Sequence, residues 1–164
     1  MKSLSPTKKG LLTGLAMILV SVAIYYTKGN FQNKLQYITY SIYVAGIVWT
    51  LIEFSKSNPP SHKFGAYFSQ GFKCFIVVTL LMVIFTAAFL LLQPKLTDEM
   101  AVIFKAELVK NGNYTTPEIE DKVRIAKKSF LPSLIMGAVF GYLVIGAMVT
   151  AITSAFVMQK HKRI

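Results

Sequence analysis

Four long blocks with uncharged centres constrain the fold of this chain more than any other feature. A helix needs about 20 apolar residues to cross a hydrocarbon core about 30 Å thick, and backbone amides find no water there, so each block should be an α-helix. The sequence therefore predicts an all-α integral membrane four-helix bundle, a single domain over residues 1–164. The spans are expected at about residues 10–27, 35–54, 72–92 and 131–158.

The first block also allows a second interpretation. Basic residues precede it, and Ser21 with Ala23 provides the small-residue spacing of a signal-peptide cleavage site. We favour a retained first helix because three further spans follow it.

The amino-acid composition agrees with a membrane location. Hydrophobic residues make up 54% of the chain and charged residues 15%, against roughly a quarter charged in soluble domains. The net charge of +11 does not indicate nucleic acid, because the basic residues flank apolar blocks instead of covering one polar face. The expected partner is therefore the lipid bilayer, and nucleic acid is not expected to bind.

Lysine and arginine residues predict the orientation of the spans. The short first connection carries only Lys28 and Lys34. The two tails and the second connection, on the opposite side, carry Lys2, Lys8, Lys9, Lys56, Lys63, Lys73, Lys160, Lys162 and Arg163. Short basic segments remain in the cytoplasm, so both termini are expected there. The third connection, residues 93–130, would lie on the outer side although it carries seven basic residues, which argues against this orientation. It is longer than the other connections, and basic residues in long loops have less influence on orientation.

The stretch FGAYFSQGFK, residues 64–73, precedes the third span and is amphipathic as a helix. At about 100° per residue its aromatic side chains fall in one arc, and Lys63, Gln70 and Lys73 fall on the other side. We predict an interfacial segment that is continuous with the third span and places its rings and lysines at the headgroup boundary. The alternative is a ligand or partner site formed by Gln70, Lys73 and the rings.

Glu53 is the only acidic residue outside the third connection, and it lies at the end of the second span. We expect it to form an interfacial ion pair with Lys56 or Lys73. The alternative is an ion or proton role, because ionisable residues at membrane depth often serve transport. No second carboxylate within the spans completes a relay.

Small residues are spaced for close helix packing in two of the spans. Gly137 and Gly141 lie one turn apart and Gly146 follows them, while Gly10 and Gly14 repeat the spacing in the first span. Such spacing lets helix backbones approach closely in a membrane. Packing within the four-helix bundle is the interpretation we favour, and homodimerisation is the alternative.

The third connection is too long for a structureless loop and predicts a short amphipathic helical hairpin over about residues 97–130. Thr97 and Thr116 are the expected N-caps, and NGN at residues 111–113 separates the two helices. The second helix should run into the fourth span through Pro132. The predicted apolar faces consist of Met100, Ile103, Phe104 and Leu108 in the first helix and Ile119, Val123, Ala126 and Phe130 in the second. They could pack together, lie on the outer leaflet or receive a partner.

The sequence carries no catalytic signature. It has no phosphate-binding glycine loop, no Cys/His pair and no cluster of carboxylates within the spans. The single cysteine, Cys74, begins an apolar segment and should be a buried thiol, and His62 and His161 are far apart. We therefore expect no enzyme activity, no catalytic residue, no cofactor and no metal.

Several stretches resemble one family over nearly the whole chain. They are the start SPTKKGLLTGL, the segment FGAYFSQGFK leading into CFIVVTLLMVIFT, the charged insert, and the closing GAVFGYLVIGAMVTAIT. The chain resembles the bacterial membrane proteins catalogued as domain of unknown function 4199. The resemblance implies four helices in a bacterial inner membrane and no established activity, so no site residue can be transferred.

Two functions from different classes remain open. The first is a non-enzymatic accessory or scaffolding subunit that acts through helix packing with a second copy or another membrane protein. The competing hypothesis is a transporter or channel component for a small solute or ion. Its polar route would have to use Glu53, Thr79, Thr86, Thr150, Thr153 and Ser154. These hydroxyls can instead bond to carbonyls of their own helices.

Overall fold

The computed structural model describes residues 4–28, 33–57 and 63–162. These residues form five α-helices and no strand, which confirms the all-α fold class. The helices are α1 (Pro6–Lys28), α2 (Asn33–Ser57), α3 (Phe64–Leu92), α4 (Pro94–Asn111) and α5 (Thr116–Lys162).

Four of these helices, α1, α2, α3 and α5, are long and apolar enough to cross a membrane. The windows that qualify have mean hydropathies of 1.8, 1.4, 3.0 and 2.2 in chain order. The four predicted blocks are thus confirmed as helices with the composition of membrane spans. Each helix is longer than its predicted block. The blocks were defined by apolar residues, whereas the helices continue into flanking polar residues that hydropathy does not detect.

The helix α3 is continuous over 29 residues, from Phe64 to Leu92. FGAYFSQGFK is therefore helical and continuous with the third span, as predicted. At 1.5 Å per residue, α3 is about 43 Å long, which exceeds the roughly 30 Å of a hydrocarbon core.

The helical hairpin between the third and fourth apolar helices is also confirmed, with two corrections at its caps. The helix α4 begins at Pro94 and not after Thr97, because proline suits the first turn of a helix, and Gln93 makes no side-chain cap bond. The cap of α5 is Thr115 and not Thr116. Its N–H and Oγ1 both donate to the Glu118 carboxylate, at 2.8 and 2.9 Å.

The turn and the second hairpin helix agree with the predictions made from the sequence. Gly112 follows α4 with a left-handed φ of 65° and donates its N–H to the Val109 carbonyl, as expected for the NGN stop. The helix α5 then continues for 47 residues with Pro132 inside it, so the second hairpin helix does run into the fourth span.

The chain divides into two compact units. The first comprises Met1–Met82 and Val139–Ile164, and the second comprises Val83–Ala138. The most deeply buried apolar side chains of the first unit are Met17, Tyr43, Ile47, Leu51, Tyr67, Cys74 and Val78. In the second unit, Leu108 of α4 and Ile119 of α5 are buried.

Candidate functional site

An ion pair joins the start of α1 to the end of α2 in the first unit. Lys9 Nζ lies 2.9 Å from Glu53 Oε2, and the Lys9 side chain is only 3% exposed while that of Glu53 is 27% exposed. The Lys9 ammonium also lies 5.5 Å from the centroid of the Trp49 ring. A buried ammonium requires such partners, since removing it from water is costly.

The predicted partners of Glu53 were therefore wrong, because it pairs with Lys9 and not with Lys56 or Lys73, which are exposed. The physical reason lies in the packing of α1 against α2. Gly46 of α2 touches the Thr13 side chain. In an antiparallel pair, the turn before Thr13 then lies beside the turn after Gly46, which brings Lys9 to the level of Trp49 and Glu53.

A small hydrogen-bonded cluster lies next to this ion pair. Thr13 Oγ1 donates to the Lys9 carbonyl at 2.9 Å, and Thr50 Oγ1 donates to the Gly46 carbonyl at 2.8 Å. The Cys74 thiol lies 3.4 Å from Thr50 Oγ1 and 3.9 Å from the Gly46 carbonyl oxygen. Cys74 is buried, as predicted, and it has polar neighbours.

Thr150 and Ser154 of α5 differ from the buried hydroxyls of Thr13, Thr50 and Thr79, which bond to carbonyls of their own helices. Both are fully buried, and in the described part of the chain neither hydroxyl has a hydrogen-bond partner. Thr79, in contrast, donates to the Phe75 carbonyl one turn earlier, at 2.8 Å. The alternative of bonding within the same helix is thus observed for Thr79 and not for Thr150 or Ser154.

Three of the five predicted packing glycines lie at close approaches between helices. A Cβ added to Gly10 would lie 2.6 Å from the Cys74 carbonyl oxygen, and one added to Gly14 would lie 2.7 Å from a Leu81 methyl group. A Cβ on Gly146 would overlap the Tyr43 hydroxyl and the Phe75 ring.

The other two glycines, Gly137 and Gly141, do not pack in this way. Among the described residues, nothing lies within 4 Å of a Cβ placed on either of them. The favoured interpretation, packing inside the bundle, is therefore not seen at these two positions. Their spacing resembles that of Gly10 and Gly14, so spacing alone could not separate packed from open glycines.

Gly46 and Gly71 also lie at close approaches between helices, although neither was predicted as a packing position. Gly46 approaches Thr13, and Gly71 approaches the Thr150 side chain. Gly71 has no small residue four positions away, so spacing gave no signal for it, whereas Thr50 follows Gly46 by one turn, a small-residue spacing that could have identified Gly46.

The aromatic segment of α3 divides into a buried part and a row of rings. Tyr67 is 1% exposed, and its ring meets that of Phe54 edge-on at 5.3 Å. Phe64, Phe68 and Phe72 form the row, with successive centroids 5.9 and 6.4 Å apart. We call these three residues the phenylalanine row. Phe64 and Phe72 are 40% and 46% exposed.

The predicted polar site residues do not form one cluster. Gln70 is half-buried and Lys73 is exposed. In the described residues, no hydrogen bond or ion pair joins either of them to Glu53. His62 lies outside the described residues, as does the side chain of His161.

In the second unit, the two hairpin helices pack against each other. Between them lies a half-open pocket of about 170 Å³, lined by Thr97, Met100, Ala101, Phe104, Ala126, Lys127 and Phe130. An ion pair between Lys127 and Asp98 joins the helices at the same place. Of the three arrangements considered, packing together is thus the one observed. Ile103 was misplaced on the packed face, since it is 59% exposed.

The described residues show no arrangement typical of a metal or catalytic centre. No group of three or more His, Cys, Asp or Glu side chains among them could hold a metal ion. What the geometry offers is one buried ion pair, two unpartnered hydroxyls and an open face on α5.

Comparison with known families gave a match to a family of unknown function. The family model described as "Protein of unknown function (DUF4199)" matches residues 8–159, a range that includes nearly all of the five helices. The comparison with curated proteins gave no match, and neither did the comparison with solved structures.

Proposed function

Because the chain belongs to the DUF4199 family, whose function is unknown, we propose a role from the surfaces of the chain itself. The protein is a non-enzymatic accessory or scaffolding subunit of a membrane. It acts by presenting one face of α5 to a helix of a second copy or of another membrane protein.

The open glycines on α5 carry this proposal. Gly137, Gly141, Val144 and Met148 have the spacing of one helix face. Val144 and Met148 are 40% and 58% exposed, and nothing approaches the two glycines. Small residues on an apolar face let another helix approach closely, where dispersion contacts drive association in lipid. By contrast, the surface at Gly146, on the opposite side of α5, is already covered by the side chains of Tyr43 and Phe75.

The proposal includes a bacterial inner membrane location with both termini in the cytoplasm. Two observations support this orientation. An even number of spans places both termini on one side, and the short segments on that side are the more basic ones.

Replacing both open glycines by leucine, Gly137→Leu with Gly141→Leu, is expected to reduce association of this protein about tenfold, because larger side chains hold the partner helix away. The measurement is chemical crosslinking in native membranes, followed by mass spectrometry that quantifies both self-crosslinks and crosslinks to other proteins. Thermal unfolding in detergent should change little.

Ala88→Leu is the matched control. Ala88 is an exposed small residue on α3, so the same enlargement is tested away from the α5 face. The proposal is rejected if the wild-type protein forms no specific crosslink, or if the glycine variant crosslinks as well as the Ala88 variant.

A second candidate function, transport of a small solute or ion, is favoured by one observation. Thr150 and Ser154 place two unpartnered hydroxyls one turn apart in the buried part of α5. A polar solute or water could satisfy them, since buried hydroxyls normally have a partner. The rest of the predicted route is less available, because Glu53 is paired with Lys9 and Thr79 bonds to its own helix.

Thr150→Val separates the two candidates. Under the accessory role, the free energy of unfolding should rise by about 1 kcal/mol, because a methyl group of the same shape replaces an unsatisfied hydroxyl. Thr79→Val is the control and should lower that free energy by about 1 kcal/mol, since it removes a satisfied hydroxyl. The measurement is unfolding in detergent, together with solute flux into liposomes. A flux that the wild type supports and Thr150→Val abolishes would establish transport instead.

A further inference from the structure

One end of the first unit carries exposed lysines that form no ion pair with a described carboxylate. The Lys9–Glu53 pair brings together the start of α1 and the end of α2, and the contact between Phe54 and Tyr67 adds the start of α3. Lys8, Lys56, Lys63 and Lys73 are exposed in these three segments. We call these four residues the basic end.

Charge at the basic end is not balanced by the described residues of the first unit. All acidic residues except Glu53 lie between residues 98 and 121, and Glu53 is bound to Lys9. Among the described residues, no carboxylate forms an ion pair with any lysine of the basic end. The basic end therefore presents a positive field to whatever lies beside it.

The phenylalanine row lies along the same segment of α3. Phe64 and Phe72 are 40% and 46% exposed, so the row offers apolar surface at the same level along the chain as Lys63 and Lys73, which precede and follow it in sequence. Aromatic rings beside lysines are suited to a boundary that is apolar on one side and anionic on the other.

The length of α3 places these residues at such a boundary. About 20 residues cross the hydrocarbon core, and counting back from Leu92 reaches Lys73. The preceding turns, which hold the phenylalanine row, then lie at headgroup depth. Lys73 lies at the edge of the core, where its long side chain can extend to the phosphates.

We propose that the basic end and the phenylalanine row bind anionic phospholipids of the bilayer, with the lysines at the phosphates and the rings against the upper acyl chains. The inference depends on the membrane placement proposed above but not on the accessory role. Lipid is favoured over nucleic acid because the rings and Lys73 lie at membrane depth.

The test measures lipid binding to the purified full chain in detergent by native mass spectrometry. Phosphatidylglycerol and phosphatidylcholine are added in equal amounts, and the bound ratio is compared between variants. The wild type should prefer phosphatidylglycerol. In the triple variant Lys56→Gln, Lys63→Gln and Lys73→Gln that preference should fall about fivefold for each lysine removed.

Two further variants control for charge and position. Lys95→Gln, Lys105→Gln and Lys110→Gln removes three exposed lysines from α4 and should retain the preference. Lys56→Arg, Lys63→Arg and Lys73→Arg keeps the charge at the basic end and should also retain it. Circular dichroism confirms that each variant is folded, and crosslinking of the triple glutamine variant tests the accessory role separately.

Four outcomes would overturn the inference. The first two are an unchanged lipid ratio in the triple glutamine variant and an equal loss in the α4 control. The third is displacement of bound phosphatidylglycerol by inorganic phosphate, which would identify a site for free phosphate. The fourth is RNA binding that the triple variant loses while its lipid ratio stays unchanged.

Discussion

Glu53→Gln is expected to lower the free energy of unfolding by about 3 kcal/mol, because it leaves a buried ammonium without its counter-ion. Lys9 is 3% exposed at its side chain, and Glu53 is the one carboxylate that contacts it among the described residues. The Trp49 ring would remain near the ammonium and limits the loss. Trp49 is the single tryptophan of the chain, so its fluorescence reports on unfolding at this site.

Replacing the other partner of the ion pair should lower the free energy of unfolding by less. Lys9→Met leaves Glu53 unpaired, but that side chain is 27% exposed and can turn toward water. The double variant Lys9→Met with Glu53→Leu should recover most of the stability, since replacing a whole buried pair by apolar residues is often neutral. Glu107→Gln, which neutralises an exposed carboxylate of α4, is the control. If Glu53→Gln and Glu107→Gln had the same free energy of unfolding, the ion pair would contribute nothing to stability.

Gly46→Ala is expected to lower the free energy of unfolding by about 2 kcal/mol, because the added methyl group collides with the β-branched Thr13 side chain. Alanine stabilises a helix relative to glycine by about 1 kcal/mol. The expected net loss of stability is therefore the destabilisation by the clash minus this gain. Gly10→Ala should behave similarly, since its methyl group would lie 2.6 Å from the Cys74 carbonyl oxygen. The measurement is chemical or thermal unfolding in detergent.

Gly141→Ala provides the matched control on α5. Nothing lies within 4 Å of its added methyl group in the described part of the chain, so helix propensity alone acts and stability should rise slightly. Thr13→Ala combined with Gly46→Ala should restore part of the loss, which would locate the clash at this pair. If Gly46→Ala and Gly141→Ala had the same effect, the close approach of α1 and α2 would be refuted.

The apolar helices were predictable because lipid imposes a simple rule on sequence. A run of about 20 apolar residues has to become a helix, whatever its neighbours are. The continuity of α3 through FGAYFSQGFK followed from the helical periodicity of its aromatic residues. The continuity of α5 followed from the absence of a turn signal between the second hairpin helix and the fourth apolar block, apart from Pro132. The hairpin was predictable because glycine and the capping residues act locally, although the cap of α4 was misplaced by four residues and that of α5 by one.

The partners of individual side chains were not predictable. Glu53 has Lys56 only three residues away, yet it binds Lys9, more than 40 residues away. Likewise, Gly10 and Gly141 belong to similar sequence patterns, yet only Gly10 lies against another helix. These outcomes depend on which helix faces meet, and hydropathy is nearly uniform around such helices.

The sequence by itself determined the helical fold class, the four apolar helices and the excess of positive charge, because each depends on composition along a single segment. Only the tertiary structure decided that Lys9 neutralises Glu53, that Thr150 and Ser154 are buried without partners, and that Gly137 and Gly141 stay open. The register between α1 and α2 aligns Lys9 with Glu53, and helix rotation places Thr150 against Gly71 while turning Gly137 and Gly141 outward. Register and rotation arise from contacts between distant segments, which no single segment encodes.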